Sequence, residues 1–366
     1  MTEHADETTF MGIERSVTGK WWRERANDER LATTIAQRFG VPEIVGRVMA
    51  ARGIDLDDAE SFLSPTLRDL MPDPSTLQDM DKAAARIADA IEAGEGIAVF
   101  GDYDVDGATS TALLKRFFRA IDVDVPVHIP DRMKEGYGPN APALLELQRK
   151  GAKLILTVDC GVTAYAPLQE ARDAGIDVIV VDHHAAEPEL PPAVAVVNPN
   201  RLDDESGLGH LCAAGVAFLV CVALLRELRN RGWLEKEGVR APDLRNWLDL
   251  VALGTVCDVV PLRGLNRAFV TQGLKVMKHR SNIGITSLAD IAGVNEVPSA
   301  YHLGYVLGPR VNAGGRVGES FLGTTLLSGE NAAEAQDIAR RLDDYNRERK
   351  AIEDIVLDQA ISAVEG

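Results

Sequence analysis

The sequence predicts an α/β fold in which a mostly parallel sheet is flanked by helices. Five short apolar runs bounded by turn residues, IAVFG, VDVPVHIP, AKLILTVDCG, IDVIVVDHH and AVAVVNP, read as strands. Helix-patterned segments, TSTALLKRFFRAI, APALLELQRKG and AYAPLQEARDAG, lie between most of them, which is the alternation of a parallel sheet with crossover helices. Three of the runs close on carboxylate or imidazole side chains, at the strand ends where open parallel sheets hold their ligands.

In chain order, an N-terminal arm containing TGKWWRERANDERLATTIAQRFG precedes helical segments near residues 42–52 and 56–62. MPDPSTLQDMDKAAARIADAIEAGEG then reads as a Pro-marked loop, a helix and a glycine stop. The strands follow, beginning with residues 96–101. The longest apolar stretch, residues 211–225, is shorter than the roughly 18 residues of a membrane span and runs straight into Arg226 and Glu227, so it is expected to be a buried helix. A helix ending near Leu253 leads into GTVCDVVPL. From Asn331 the chain is free of Gly and Pro, and Asn331 with Glu334 three residues on opens it in the manner of a capping box.

A chain of 366 residues with 46% hydrophobic content suffices for one large or two ordinary domains. Its 39 basic and 56 acidic residues leave a net charge of -17, which excludes a broad basic face for long duplex nucleic acid. Local binding of a phosphate chain by a metal centre and a few arginines is still open. The N-terminus MTEHADETTF lacks the basic-then-apolar pattern of a secretory signal, and no membrane segment is expected, so the cytoplasm is the expected location. Four cysteines without C-x-x-C spacing suggest neither a zinc knuckle nor a disulfide framework.

In GDYDVDG, Asp102, Asp104 and Asp106 alternate as the first strand runs out, and on an extended segment their side chains would share one side. Unpaired carboxylates so placed repel one another, and a divalent cation relieves the repulsion. A solvated acidic turn is the bland alternative. An EF-hand loop is excluded, because its twelfth position, which must be Glu, is Leu113. Asp159 in LTVDCG, Asp182, His183 and His184 in VVDHH, and Asp258 in GTVCDVVPL add further ligand types. Imidazole among carboxylates shifts the expected ion toward manganese or another first-row metal, and two such ions bridged by a carboxylate can drive phosphoryl transfer. Of the adjacent histidines, one can ligate metal while the other faces substrate, with Asp182 orienting an imidazole. His4, His128, His279 and His302 are read as ordinary core or surface residues, and Cys160 and Cys257 as core-facing neighbours of ligands.

GDYDVDG, TVDCG, VVDHH and GTVCDVVPL, in this order and spacing, resemble the four motifs of the DHH phosphoesterase superfamily. DRMKEGYGPN, LCAAGVAF, GPRVNAGGR and MAARGIDLDDAESFLSPTLRDL narrow the resemblance to the RecJ family of bacterial single-strand-specific DNA exonucleases, from about Trp21 to the end of the chain. The resemblance implies two divalent ions, usually manganese with magnesium as the alternative, and release of nucleotides from a 5′ end of single-stranded DNA in repair and recombination. It implies Asp104, Asp106, Asp159, His183 and Asp258 as metal ligands, Asp159 as their bridge, and Asp102 as ligand or supporting residue. His184 would contact the scissile phosphate, and Arg132, Arg310, Asn312 and Arg316 would meet phosphate, as guanidinium forks suit its oxygens. Single-strand-binding protein and a helicase are the implied partners of a monomeric enzyme. The implied division is an N-terminal arm and helical segment (1–75), a catalytic domain (76–330) and a long connecting helix (331–366).

Phe100 stands where some superfamily members place a histidine ligand, and Ala213 and Cys257 occupy small-residue positions. The family's downstream domain and oligonucleotide-binding barrel have no counterpart here, so the expectation is a truncated nuclease that binds metal but grips long strands poorly, with only 5% aromatic residues to stack on bases. Two rivals are a DHH enzyme for short oligonucleotides or cyclic dinucleotides and a non-catalytic nucleic-acid scaffold, which the intact ligand set opposes.

Overall fold

The computed structural model describes residues 13, 15–23, 28–236 and 240–365, and His4 lies outside the described residues. The chain divides into two units, Met1–Leu70 and Met71–Gly366. In the first, α1 (Glu29–Phe39), α2 (Glu43–Ala51) and α3 (Ala59–Leu63) gather around Ile35, Met49 and Ala59, and the short α4 (Leu67–Leu70) follows. Asp28 caps α1 by accepting from the Leu31 amide at 2.8 Å, and Gly40 ends it in the left-handed region.

The second unit opens with α5 (Met80–Ala93), which stops at Gly94 in the left-handed conformation. Then come β1 (Gly96–Phe100), α6 (Val105–Ala120), β2 (Val127–His128), α7 (Ala141–Arg149), β3 (Ala152–Val158), α8 (Tyr165–Asp173), β4 (Asp177–Val181) and β5 (Ala195–Val197). All five strands are parallel in the order β2-β1-β3-β4-β5. The order reverses between β1 and β3, and in sheets of this kind the crevice at that reversal, at the carboxyl ends, is the ligand position. Helices α7 and α8 cover one face, packing Leu144, Leu147 and Leu168 against Phe100, Ile155, Val178 and Val180. Alternation sends Val99, Leu156 and Ile179 to the other face, where α5, α6 and α9 (Ala213–Asn230) pack.

Helix α9 carries all but the first two residues of the apolar stretch 211–225 and is buried nearly all round, and no helix among the described residues is long and apolar enough to cross a membrane. The chain continues through α10 (Leu248–Cys257), α11 (Gly264–Lys278), α12 (Ile283–Ile291), a π-helical segment His302–Leu307, α13 (Gly308–Val317), α14 (Leu322–Ser328) and α15 (Ala332–Glu365). Asn331 caps α15 by accepting from the Ala333 and Glu334 amides. Phe100 is fully buried, stacked on His128 at 5.1 Å between centroids, so its position serves the core.

Two local expectations need correction. Strand β2 is two residues long, because Pro126 and Pro130 bracket it and cannot donate to a ladder. Helix α6 starts at Val105, inside the acidic motif, so extended-chain alternation does not align the three carboxylates. Asp104 is the N-cap of α6, and Asp106 stands in its first turn.

Candidate metal centre

Each ligand candidate sits at the carboxyl edge of the sheet or on a helix end that abuts it. After β1, Asp102 is buried, and Asp104 accepts from the Gly107 amide at 2.9 Å, which turns the chain into α6. Gly107 is required by proximity: a Cβ there would lie 2.6 Å from the Asp102 carbonyl oxygen. Asp106 is enclosed and accepts the first amides of α9, from Ala213 at 2.6 Å and Ala214 at 2.9 Å. The LCAAG motif therefore aims a helix N-terminus at this carboxylate. Gly254 of α10 leaves room for it, since a Cβ would lie 2.7 Å from Asp106 Oδ1. Beyond β3, Asp159 has φ 60°, a left-handed conformation that Asp tolerates better than most residues, and its carbonyl accepts from the Tyr137 hydroxyl at 3.1 Å. Asp258 is the C-cap of α10.

After β4, the wholly buried Asp182 holds the histidine pair. Its Oδ1 accepts from the His183 and His184 amides at 2.8 and 3.2 Å and pairs with His184 Nδ1 at 2.7 Å, while its Oδ2 accepts from the Val162 amide at 3.0 Å. Two asparagines beyond β5 finish the brace: Asn198 donates to the His184 carbonyl at 2.9 Å, and Asn200 donates to the His183 carbonyl. These asparagines and the α9 amides escaped the sequence analysis. The pair of Asn just past AVAVV was a usable signal; main-chain amides have none.

His183 is the hub. Its Nε2 lies 3.2 Å from Asp159 Oδ1 and 3.7 Å from Asp106 Oδ2, and its Nδ1 is 3.7 Å from Asp258 Oδ2. Three groups of potential ligand atoms, each within 4.8 Å of one another, result: Asp106, His183 and Asp258; Asp102, Asp104 and Asp159; and Asp159, His183 and His184. Asp159 and His183 each belong to two groups.

The electrostatics show a centre short of positive charge. Burial, then Asp104, pushes the Asp102 carboxyl up to about 7 and Asp258 up to about 6. Asp106 is raised by burial and then by Asp258, and Asp159 well above the ordinary range by burial and then by Asp106. Burial alone would raise Asp182, yet its bonds from His184 and Val162 hold it low. The same bond to Asp182 raises His184, whereas burial lowers His183 and keeps it neutral, the form that ligates metal. Asp102 Oδ1, Asp159 Oδ1 and His183 Nε2 are buried without hydrogen-bond partners. Such orphans are costly, and cations bound among them would satisfy all three while relieving the repulsion, so the donor set fits divalent metal.

Beside this cluster lies a cavity of about 240 Å³, bounded by Asp102, Asp104 and His184 on one side and by Arg132, Asn312 and Arg316 on the other. The Arg132 guanidinium stacks 5.4 Å from the Tyr103 ring centroid. Asn312 accepts from the Val105 amide at 3.1 Å and so fastens α13 to the start of α6. Arg310 stands apart: it donates to Asp343 Oδ1 at 2.9 Å and to the Val306 carbonyl at 2.7 Å. His128 pairs with Glu135 and His302 with Ser299 and Glu296, away from the cluster. The four cysteines are free, three of them buried, and Cys257 contacts the Leu303 carbonyl.

Residues 96–255 match the model of the DHH family, N-terminal domain. The chain is 35% identical over 94% of its length to a single-stranded-DNA-specific exonuclease RecJ of Bacillus subtilis (strain 168), of which it covers 42%. It resembles the crystal structure of an exonuclease RecJ bound to manganese with a TM-score of 0.68 and 37% identity, covering 79% of this chain and 70% of that one. A RecJ in complex with Mn2+ from Thermus thermophilus matches with a TM-score of 0.76 and 32% identity over 91% of this chain and 46% of that one. The chain spans about half the length of the curated relatives it matches.

Proposed function

This chain belongs to the DHH family, in its RecJ branch, and on that premise we propose that it hydrolyses single-stranded DNA from the 5′ end with two divalent cations, manganese first and magnesium second. The observation that carries this reading is the convergence of three orphaned buried ligand atoms on Asp102, Asp159 and His183 beside an arginine-walled cavity. Asp106, His183 and Asp258 would hold one cation and Asp102, Asp104 and Asp159 the other, with Asp159 between them. When bound, the cations supply an activated water and Lewis-acid stabilisation of the phosphate.

The protein's own groups do the rest. Asp182 binds His184 at Nδ1 and raises its pKa, which favours the imidazolium, the form whose Nε2–H can be offered to a phosphate oxygen. Arg132 and Arg316 neutralise the strand's charge at the cavity wall. The α9 amides and the two asparagines fix Asp106 and the histidines, so that little reorganisation is left for the reaction itself. On this reading the chain acts as a cytoplasmic monomer in repair and recombination, on strands presented by single-strand-binding protein and a helicase.

The test is hydrolysis of 5′- and 3′-labelled single strands with and without manganese. Mononucleotide should appear from the 5′ label first and only with metal. Release from the 3′ label first, or cleavage that survives chelator, contradicts the proposal.

A further inference from the structure

The metal-centre cavity shares Arg132 and Arg316 with a second cleft of about 570 Å³. Its other wall is α15, which contributes Arg349, Ile352, Glu353 and Val356, and Met133 faces them from the loop after β2. Three arginines and three apolar side chains thus border one opening. Met133 and Val356 are largely exposed, at 84% and 56%, so the cleft opens to solvent. Arg349 is itself only 26% exposed; it donates to Asn346 Oδ1 at 3.3 Å through Nε and to Glu353 Oε2 at 2.7 Å through Nη1, leaving Nη2 for an incoming acceptor.

A strand undergoing cleavage at its end needs a path for the part that continues, and that path must be open and lined with cationic side chains. We infer that this cleft receives the first internucleotide phosphate on the 3′ side of the scissile bond, with Arg349 as its ligand and Met133, Ile352 and Val356 as the face for the adjoining sugar and base. The inference rests on the proposed nuclease reading and adds to it a subsite on α15. Glu353, held on Nη1, is the neighbouring anion, and its charge opposes the phosphate that arrives at Nη2.

The test compares a 5′-phosphorylated thymidine dinucleotide, which has no phosphate beyond the scissile one, with the tetranucleotide, using the manganese-loaded chain. Arg349→Gln should raise KM for the tetranucleotide relative to the dinucleotide by about tenfold, the loss expected for one charge-assisted contact, and kcat should hold. Glu353→Gln should move the same ratio the other way. Tetranucleotide binding by Arg349→Gln, followed by fluorescence anisotropy without metal, should lose about 0.7 from its log-log salt slope. Equal effects on both lengths, or none, overturn the subsite. An effect that vanishes when the tetranucleotide lacks its 5′ phosphate also overturns it, because the ligand is then the terminal phosphate. If no variant turns over, anisotropy still decides: Arg349-dependent binding upholds the cleft and counts against the proposed reaction alone, and Arg349-independent binding removes the cleft.

Discussion

Replacing Asp182 with Asn keeps the side chain's shape and removes its charge, so it isolates what this carboxylate does for the histidine pair. In the parent, Oδ1 serves three groups on His183 and His184, and Oδ2 accepts from the Val162 amide at 3.0 Å. An amide oxygen can take over the Oδ1 role, but its NH2 then faces the Val162 N–H, donor to donor, at a site buried from solvent. Each orphaned buried donor costs about 1–3 kcal/mol, so a net loss of about 3 kcal/mol is expected once the weaker bond to His184 is included. For the unit Met71–Gly366 that carries it, this lowers Tm by roughly 5 °C. Losing the support of a ligand's neighbour also typically lowers metal affinity or activity about 10–100-fold. Thermal melting, with oligonucleotide hydrolysis on the same samples, reads both. A Tm within about 2 °C of the parent together with an undiminished rate would refute this account of Asp182.

Isothermal titration with manganese should give two ions for the parent, almost none for Asp159→Ala and measurable binding for Asp102→Ala; unchanged stoichiometry in Asp159→Ala removes Asp159 from the centre. The raised carboxyls of Asp102 and Asp258 favour the metal-free fold only while protonated, so its Tm should fall as pH rises from about 4 through 7, and the Tm gained with manganese should grow over that window; a gain that shrinks with pH contradicts the charge-crowding explanation. Arg310→Ala should cost about 2 kcal/mol of stability by removing the hydrogen-bonded partner of Asp343 and leaving it only the looser pair with Arg347 at 3.6 Å, whereas Arg316→Ala should leave Tm alone and raise KM about tenfold. The opposite pattern would exchange their roles.

Residue types at strand ends carried much of the site. Carboxylates and imidazole after β1, β3 and β4 could be recognised because the strands were short apolar runs and a parallel sheet puts their ends together. The alternation argument for Asp102, Asp104 and Asp106 nevertheless misplaced the turn, since Asp104 prefers to cap α6 and thereby rotates Asp106 onto a helix. What pairs with Asp106 was illegible, because its partners are main-chain amides of α9, more than a hundred residues away and indifferent to side-chain type. Arg310 and Arg316 share one motif and one chemistry. Only the packing of α13 on α15 separates them, by offering Asp343 to the first.

The central claim is that these residues form a two-ion centre, and anomalous diffraction at the manganese edge from crystals of the chain soaked in manganese tests it most directly. Two peaks are predicted, one among Asp106, His183 and Asp258 and the other among Asp102, Asp104 and Asp159, with Asp159 touching both. A single peak elsewhere, or none at millimolar manganese, would contradict it.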